Sequence, residues 1–153
     1  MIKIGIIGAT GYAGGELVRI LHAHKNAEII WYGSKSYIDQ KSSHVFRNLF
    51  HVIEDICLDD KIEELASKVD VILTATPQGY LASLLSEEII SRVKIIALSA
   101  DYRMKDVSVY EKWYGIEHKS PQFIEEAVYG LCEVNREEIK KARLVANPGC
   151  YTT

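Results

Sequence analysis

Short β-branched apolar runs alternate along this chain with segments whose apolar residues recur every three or four positions. Ile2-Lys3-Ile4-Gly5-Ile6-Ile7 has the make-up of a strand buried on both faces of a parallel sheet. From Gly11 to His24, Ala13, Leu17 and Leu21 recur at helical spacing with Val18 and Ile20, leaving Glu16 and Arg19 to solvent. Glu28-Ile29-Ile30-Trp31-Tyr32 predicts a second strand ending at Gly33. Residues 34–48 are polar, basic and without period, and read as loop. Helical character returns from Asp60 to Lys68. Asp70 to Ala75 is the next strand, closed by Thr76-Pro77-Gln78-Gly79, where Pro77 ends strand pairing. Tyr80 to Ser91 predicts a helix through Leu81, Leu84, Leu85, Ile89 and Ile90. Val93 to Leu98 and Arg143 to Ala146 predict two further strands. Strands and helices in alternation require right-handed crossovers, hence a doubly wound α/β fold with a mostly parallel sheet.

Composition narrows the setting. A chain of 153 residues, 48% of them hydrophobic, suits one domain over residues 1–153. The net charge of -3 is spread along the chain, so neither nucleic acid nor a membrane surface is an expected partner. The apolar start, Ile4 to Ile7 broken by Gly5, is too short for a signal core or a membrane span, and a cytoplasmic location is expected. Cys57, Cys132 and Cys150 are odd in number and lack metal-type spacing, so free thiols and no metal site are expected. Cys57 and Cys132 read as small buried hydrophobes. The five histidines, His22, His24, His44, His51 and His118, read as helix-end or polar-loop residues without a catalytic part.

The first chemical signal is Gly8-Ala9-Thr10-Gly11-Tyr12-Ala13-Gly14, where glycines fall every third residue across a strand-to-helix junction. Absent side chains let a ligand approach the backbone, and a helix N-terminus offers unpaired N–H groups and a favourable dipole to phosphate oxygens. The spacing is GxxGxxG rather than GxGxxG. It lies inside a strand-turn-helix of about 30 residues, which is where a dinucleotide pyrophosphate binds. Gly8, Thr10, Gly11, Tyr12, Ala13 and Gly14 are the candidate cradle. At the end of the second strand no acid stands ready for a ribose 2′-hydroxyl. Ser34, Lys35 and Ser36 offer hydroxyls and a cation suited to a 2′-phosphate, the first acid beyond being Asp39, so NADP is expected over NAD. Thr76 and Pro77, at the tip of another strand, are further candidates for lining the cofactor pocket.

The second signal is Ala146-Asn147-Pro148-Gly149-Cys150-Tyr151 after the last strand. Pro148 and Gly149 force a turn, and a helix beginning just after Cys150 would lower its thiol pKa and make it a nucleophile. Backbone N–H groups near Gly149 and Cys150 suit an oxyanion, with Asn147 orienting the turn. Arg103 suits either an anionic substrate or an ion pair with Asp101 or Asp106.

Gly8-Ala9-Thr10-Gly11-Tyr12-Ala13-Gly14 together with Asn147-Pro148-Gly149-Cys150-Tyr151 resemble the N-acetyl-gamma-glutamyl-phosphate reductases. Ser99-Ala100-Asp101-Tyr102-Arg103, Trp113-Tyr114 and Val128-Tyr129-Gly130-Leu131 followed by Glu133 extend the likeness along the chain. Two departures stand out: Gln78 where the family usually has histidine, and Thr152 where it has proline. The resemblance implies a Rossmann-like NADP-binding half with Cys150 as nucleophile. Its implied substrate is an acyl phosphate, reduced through a cysteine thioester to a semialdehyde in arginine biosynthesis. A second α+β domain outside this chain is implied to hold the substrate pocket, the acid/base histidine and most contacts of a homo-oligomer. On that reading the chain alone binds cofactor without turnover, with a mobile tail and a Cys150 thiol near the ordinary value of about 8.5. Rival readings are an aspartate-semialdehyde dehydrogenase, the related amino-adipate reductase, and a stand-alone dinucleotide-binding module.

Overall fold

The structure, a computed structural model, describes residues 1–151. Two compact units divide it, Met1–Ala75 and the chain from Thr76 onward.

In the first unit, β1 (Ile2–Ile7), α1 (Tyr12–His22) and β2 (Ala27–Gly33) follow the apolar pattern closely. β1 pairs in parallel with β2 and with β4 (Val71–Thr74), and β2 pairs in parallel with β3 (Cys57–Leu58). The order β3-β2-β1-β4 makes β1 a central strand, and its Ile4, Ile6 and Ile7 are buried. α1 buries Gly14 and Val18, while Leu17 and Leu21 are half-buried. Ile20 is 50% exposed, because at 100° per residue it lies far round the helix from Val18. Glu16 and Arg19 are exposed and paired with each other.

The stretch read as loop carries structure. α2 (Ser42–Val45) and a 3₁₀ turn (Arg47–Leu49) interrupt it, with Ser42, Ser43 and Leu49 buried. Four residues are too few to display a helical period, which is why the pattern does not reveal them. α3 (Ile62–Ala66) is shorter than the span predicted from Asp60 to Lys68. Cys57 is fully buried on β3 as expected, and burial pushes its thiol pKa up.

In the second unit, β5 (Lys94–Ala97) pairs in parallel with β7 (Leu144–Ala146), and β7 with β6 (Val128–Tyr129). The helix predicted from Tyr80 to Ser91 is two helices, α4 (Tyr80–Leu84) and α5 (Glu87–Arg92). Ser86 separates them. Its backbone is extended and its hydroxyl accepts from the Ile89 N–H, an N-cap followed by Glu87 and Glu88 in the first turn. α6 (Val107–Tyr114) and α7 (Cys132–Lys141) lie where no helix was predicted. Cys132 is exposed at the start of α7, not buried, because that helix has no buried residue. Both units are α/β with parallel strands, the doubly wound class expected.

His118, expected in a polar setting, is 4% exposed. Its Nδ1 accepts from the Ser120 N–H at 3.2 Å, so Nε2 carries the proton and donates to the Asp101 carbonyl at 2.6 Å. Tyr102 and Tyr110 meet its ring edge-on. The histidine braces a core.

Candidate active site: a glycine turn and a cysteine turn

The glycine turn has the geometry that phosphate binding requires. Gly8 has φ +77, and Gly11 N–H donates to Gly8 O at 3.1 Å, closing the turn that launches α1. A Cβ on Gly14 would sit 2.0 Å from Gly8 O, so the helix can pack on the turn only as glycine. Gly11 caps α1 without a side chain, and no acid lies in the first turn. Among the described residues nothing accepts from the N–H groups of Tyr12, Ala13 and Gly14, three of the donors a helix start leaves open. Thr10, Gly11 and Tyr12 line a cavity of about 230 Å³ closed by Val45 and Phe46. These last two lie in the stretch read as loop. The Phe46 ring would collide with any Cβ on Gly15 at 2.6 Å, which seats α2 against α1. Tyr12 is 96% exposed and Ala13 is exposed.

At the end of β2 the expected residues divide. Ser34 is buried, its hydroxyl 2.8 Å from Thr10 Oγ1 and accepting from the Tyr37 N–H at 3.2 Å, so it ties β2 to the glycine turn. Lys35 and Ser36 are exposed. The expectation that no acid stands here holds for neighbours in sequence and fails in space. Asp60, just past β3, accepts from Gly8 N–H at 3.4 Å, and its Oδ1 lies 2.5 Å from where a Gly33 Cβ would be. A parallel neighbour strand delivers it, which sequence distance along β2 does not show.

Burial raises the Asp60 pKa above the carboxylate value of 3.8, opposed by Gly8 N–H and by Lys35. Relative to the unfolded chain the fold therefore disfavours the ionised carboxylate, and stability is lost as pH rises from 3.8 through the folded pKa. Asp60→Asn keeps an acceptor for Gly8. It is expected to raise the melting temperature at neutral pH, with the gain vanishing below pH 3.8. Calorimetric melts between pH 3 and pH 8 check this, and a pH-independent difference would overturn it.

In the second unit, Thr76 and Pro77 follow β4, and the Thr76 hydroxyl is buried without a partner. Asn147 follows β7 and bonds through its N–H to Ala97 O at 2.8 Å, next to β5. The Asn147 amide donates to Pro148 O at 3.1 Å, orienting the turn as expected. Arg103 forms neither expected ion pair. Its Nε donates to Asn147 O at 2.7 Å and its Nη2 to Leu98 O at 2.6 Å, clamping the end of β7 to the end of β5. Asp101 is occupied elsewhere, and Asp106 caps α6. Beyond this clamp Cys150 is exposed, and no acceptor takes the Gly149 or Cys150 N–H among the described residues. A thiol in the open beside two unspent amides can act as a nucleophile. Thr152, one departure from the family pattern, lies outside the described residues. Among the described residues no cluster of three histidine, cysteine or acidic side chains suits a metal.

A parallel α/β fold with a glycine turn on an uncapped helix after the first strand is the architecture of a dinucleotide-binding domain. The family model for the semialdehyde dehydrogenase NAD-binding domain matches residues 3–142, and the chain belongs to that family. Among curated relatives it is 69% identical over 153 residues to the N-acetyl-gamma-glutamyl-phosphate reductase of Lachnoclostridium phytofermentans, covering 100% of this chain and 44% of that protein. It is 48% identical to the Campylobacter jejuni enzyme of that name, over 99% of this chain and 43% of the relative. The chain thus spans less than half the length of these relatives. The aspartate semialdehyde dehydrogenase structure from Candida albicans with NADP matches with TM-score 0.61 at 17% identity, over 92% of this chain and 36% of that one. A Vibrio cholerae aspartate semialdehyde dehydrogenase gives TM-score 0.61 at 18%, over 99% and 39%. Those two likenesses carry the fold alone.

Proposed function

We propose that this chain is the cofactor-binding part of an NADPH-dependent reductase that converts N-acetyl-gamma-glutamyl phosphate to N-acetyl-glutamate semialdehyde and phosphate, in arginine biosynthesis. The observation that carries the reading is the pairing, in one chain, of an uncapped glycine turn with an exposed Cys150 on a clamped turn, at 69% identity to a reductase of that name. Residues 1–153 serve as one dinucleotide-binding domain of a cytoplasmic homo-oligomer that needs neither nucleic acid nor a membrane. Among the described residues no helix is long and apolar enough to cross a membrane.

Gly8, Thr10, Gly11, Tyr12, Ala13 and Gly14 hold the pyrophosphate, with the free N–H groups of α1 as donors. Lys35 and Ser36 take the 2′-phosphate, Ser34 holds the turn in register, and Thr76 and Pro77 line the pocket. Bound NADPH supplies the hydride. The Cys150 thiolate attacks the acyl carbonyl, the C–O bond to phosphate breaks, and a thioester remains on sulfur. The Gly149 and Cys150 N–H groups stabilise the oxyanion on the way. Reduction of the thioester then releases the aldehyde and restores the thiolate.

Fluorescence titration of the chain with NADPH and NADH tests the cofactor half. NADPH is expected to bind at least about tenfold more tightly, and Lys35→Glu to remove most of that preference, a change of about 1.4 kcal/mol. Equal affinity for the two, or a Lys35→Glu variant with unchanged preference, would refute the assignment.

A further inference from the structure

A second cavity, of about 490 Å³, opens in the first unit and is lined by Ser43, His44, Arg47 and Phe50. α2 and the turn after it contribute to both cavities: Val45 and Phe46 line the glycine-turn one, and the residues on either side of them line this one. Three polar groups here are unspent. Ser43 is 2% exposed and its hydroxyl has no hydrogen-bond partner, a rare condition for a buried oxygen. Among the described residues, neither the Arg47 guanidinium nor the His44 imidazole has a hydrogen bond or ion pair. Glu54, later in the same segment, is held by Lys41 at 2.9 Å and by the His51 N–H at 2.9 Å, and those contacts keep its carboxyl below the usual range.

We propose that this cavity binds an oxyanion of the phosphate-ester class, with Arg47 as its forked donor, His44 and Ser43 completing the set, and Phe50 as the apolar wall. Five N–H groups in a planar fork match phosphate geometry. A rotation about χ1 of Ser43 brings an otherwise unsatisfied hydroxyl to the anion. Phe50, 55% exposed, offers its ring to the organic part of the ester. The proposal does not depend on the dinucleotide reading, since none of these residues belongs to the glycine turn.

The anion can be a phosphate group of a bound dinucleotide or that of a separate ligand, and one experiment separates these sources. Inorganic phosphate is titrated into the ¹⁵N-labelled chain, wild type and Arg47→Gln, followed by NADPH on each. Saturable shifts of the His44, Arg47 and Phe50 amides are expected, with phosphate affinity at least fivefold weaker in Arg47→Gln and a smaller loss in Ser43→Ala. If NADPH affinity falls in parallel, the phosphate is the dinucleotide's; if NADPH binding is unchanged, the ligand is separate. Absence of saturable shifts, or equal phosphate affinity in wild type and Arg47→Gln, would overturn the proposal. Arg47 is exposed and bonded to nothing through its side chain, so its replacement leaves the fold in place.

Discussion

Gly14→Ala is expected to abolish dinucleotide binding and to destabilise the first unit, and Gly11→Ala to do much less. The contrast follows from two distances. A Cβ on Gly14 meets Gly8 O at 2.0 Å and the Ala9 Cα at 2.8 Å, both backbone atoms that cannot swing aside. A Cβ on Gly11 meets only Gly8 O, at 3.5 Å, an ordinary contact. To admit the methyl group, α1 must lift from the turn that Gly8 makes at φ +77. Overpacking of this kind costs about 3 kcal/mol, which for a chain of this size lowers the melting temperature by about 6–12 °C. The lift also misdirects the Tyr12, Ala13 and Gly14 N–H groups, so NADPH affinity should fall at least about 100-fold, or 2.8 kcal/mol. Thermal melts and NADPH titration of the two variants side by side check the pair. A Gly14→Ala protein that binds as tightly as Gly11→Ala would show that the close approach of helix and turn is not what the ligand needs.

That glycine turn was legible because its signal is local. β1, the turn and α1 are consecutive, so spacing along the chain is also spacing in the fold. The turn that carries Cys150 was legible for the same reason, following β7 directly. What escaped depends on residues brought together from a distance. Asp60 reaches Gly8 across fifty-two positions because β3 lies beside β2. Val45 and Phe46 wall the cavity although α2 is too short to show a period. Arg103 was a candidate for a carboxylate partner, yet the carbonyls of Leu98 and Asn147 claim it. Other elements carry local marks at their ends that apolar periodicity alone does not register. Asp106 caps α6 through the Ser108 N–H and Gly115 ends it at φ +67, a start and stop that helix-terminus chemistry predicts. Ser86 followed by Glu87 and Glu88 likewise marks a second helix start inside what reads as one apolar segment.

Asp101→Ala is expected to be the most destabilising substitution in the second unit, while Asp101→Asn is tolerated. Asp101 has no exposed surface, and its carboxylate accepts three bonds: from Gly79 N–H at 2.8 Å, Tyr110 hydroxyl at 2.7 Å and Ser99 hydroxyl at 2.9 Å. Alanine leaves three donors without an acceptor and a cavity among them, a loss of about 3–5 kcal/mol and a melting temperature lower by about 10 °C. Asparagine keeps one oxygen for Gly79 and Tyr110, while its amide donates to the Ser99 oxygen, so the cost should stay near 1 kcal/mol. Gly79 gives the difference a functional reading. It holds φ +79 at the end of the Thr76–Gly79 turn, and its N–H is fixed by Asp101. Losing that bond frees the turn proposed to line the cofactor pocket, so Asp101→Ala should weaken NADPH binding even where it is still folded, and Asp101→Asn should not. The same triad sets an alkaline limit. Burial, then the bond to Asp101, raises the Tyr110 pKa above its ordinary value of 10, so its contribution is intact below pH 10 and is lost as pH rises toward the folded value. Asp101→Asn removes the charge that opposes ionisation, lowers the folded pKa toward 10 and should make that alkaline loss smaller. Melts at pH 7 to 11 with NADPH titration at pH 7 decide the matter: equal stability of the alanine and asparagine variants would mean that Asp101 fills space and accepts nothing of consequence.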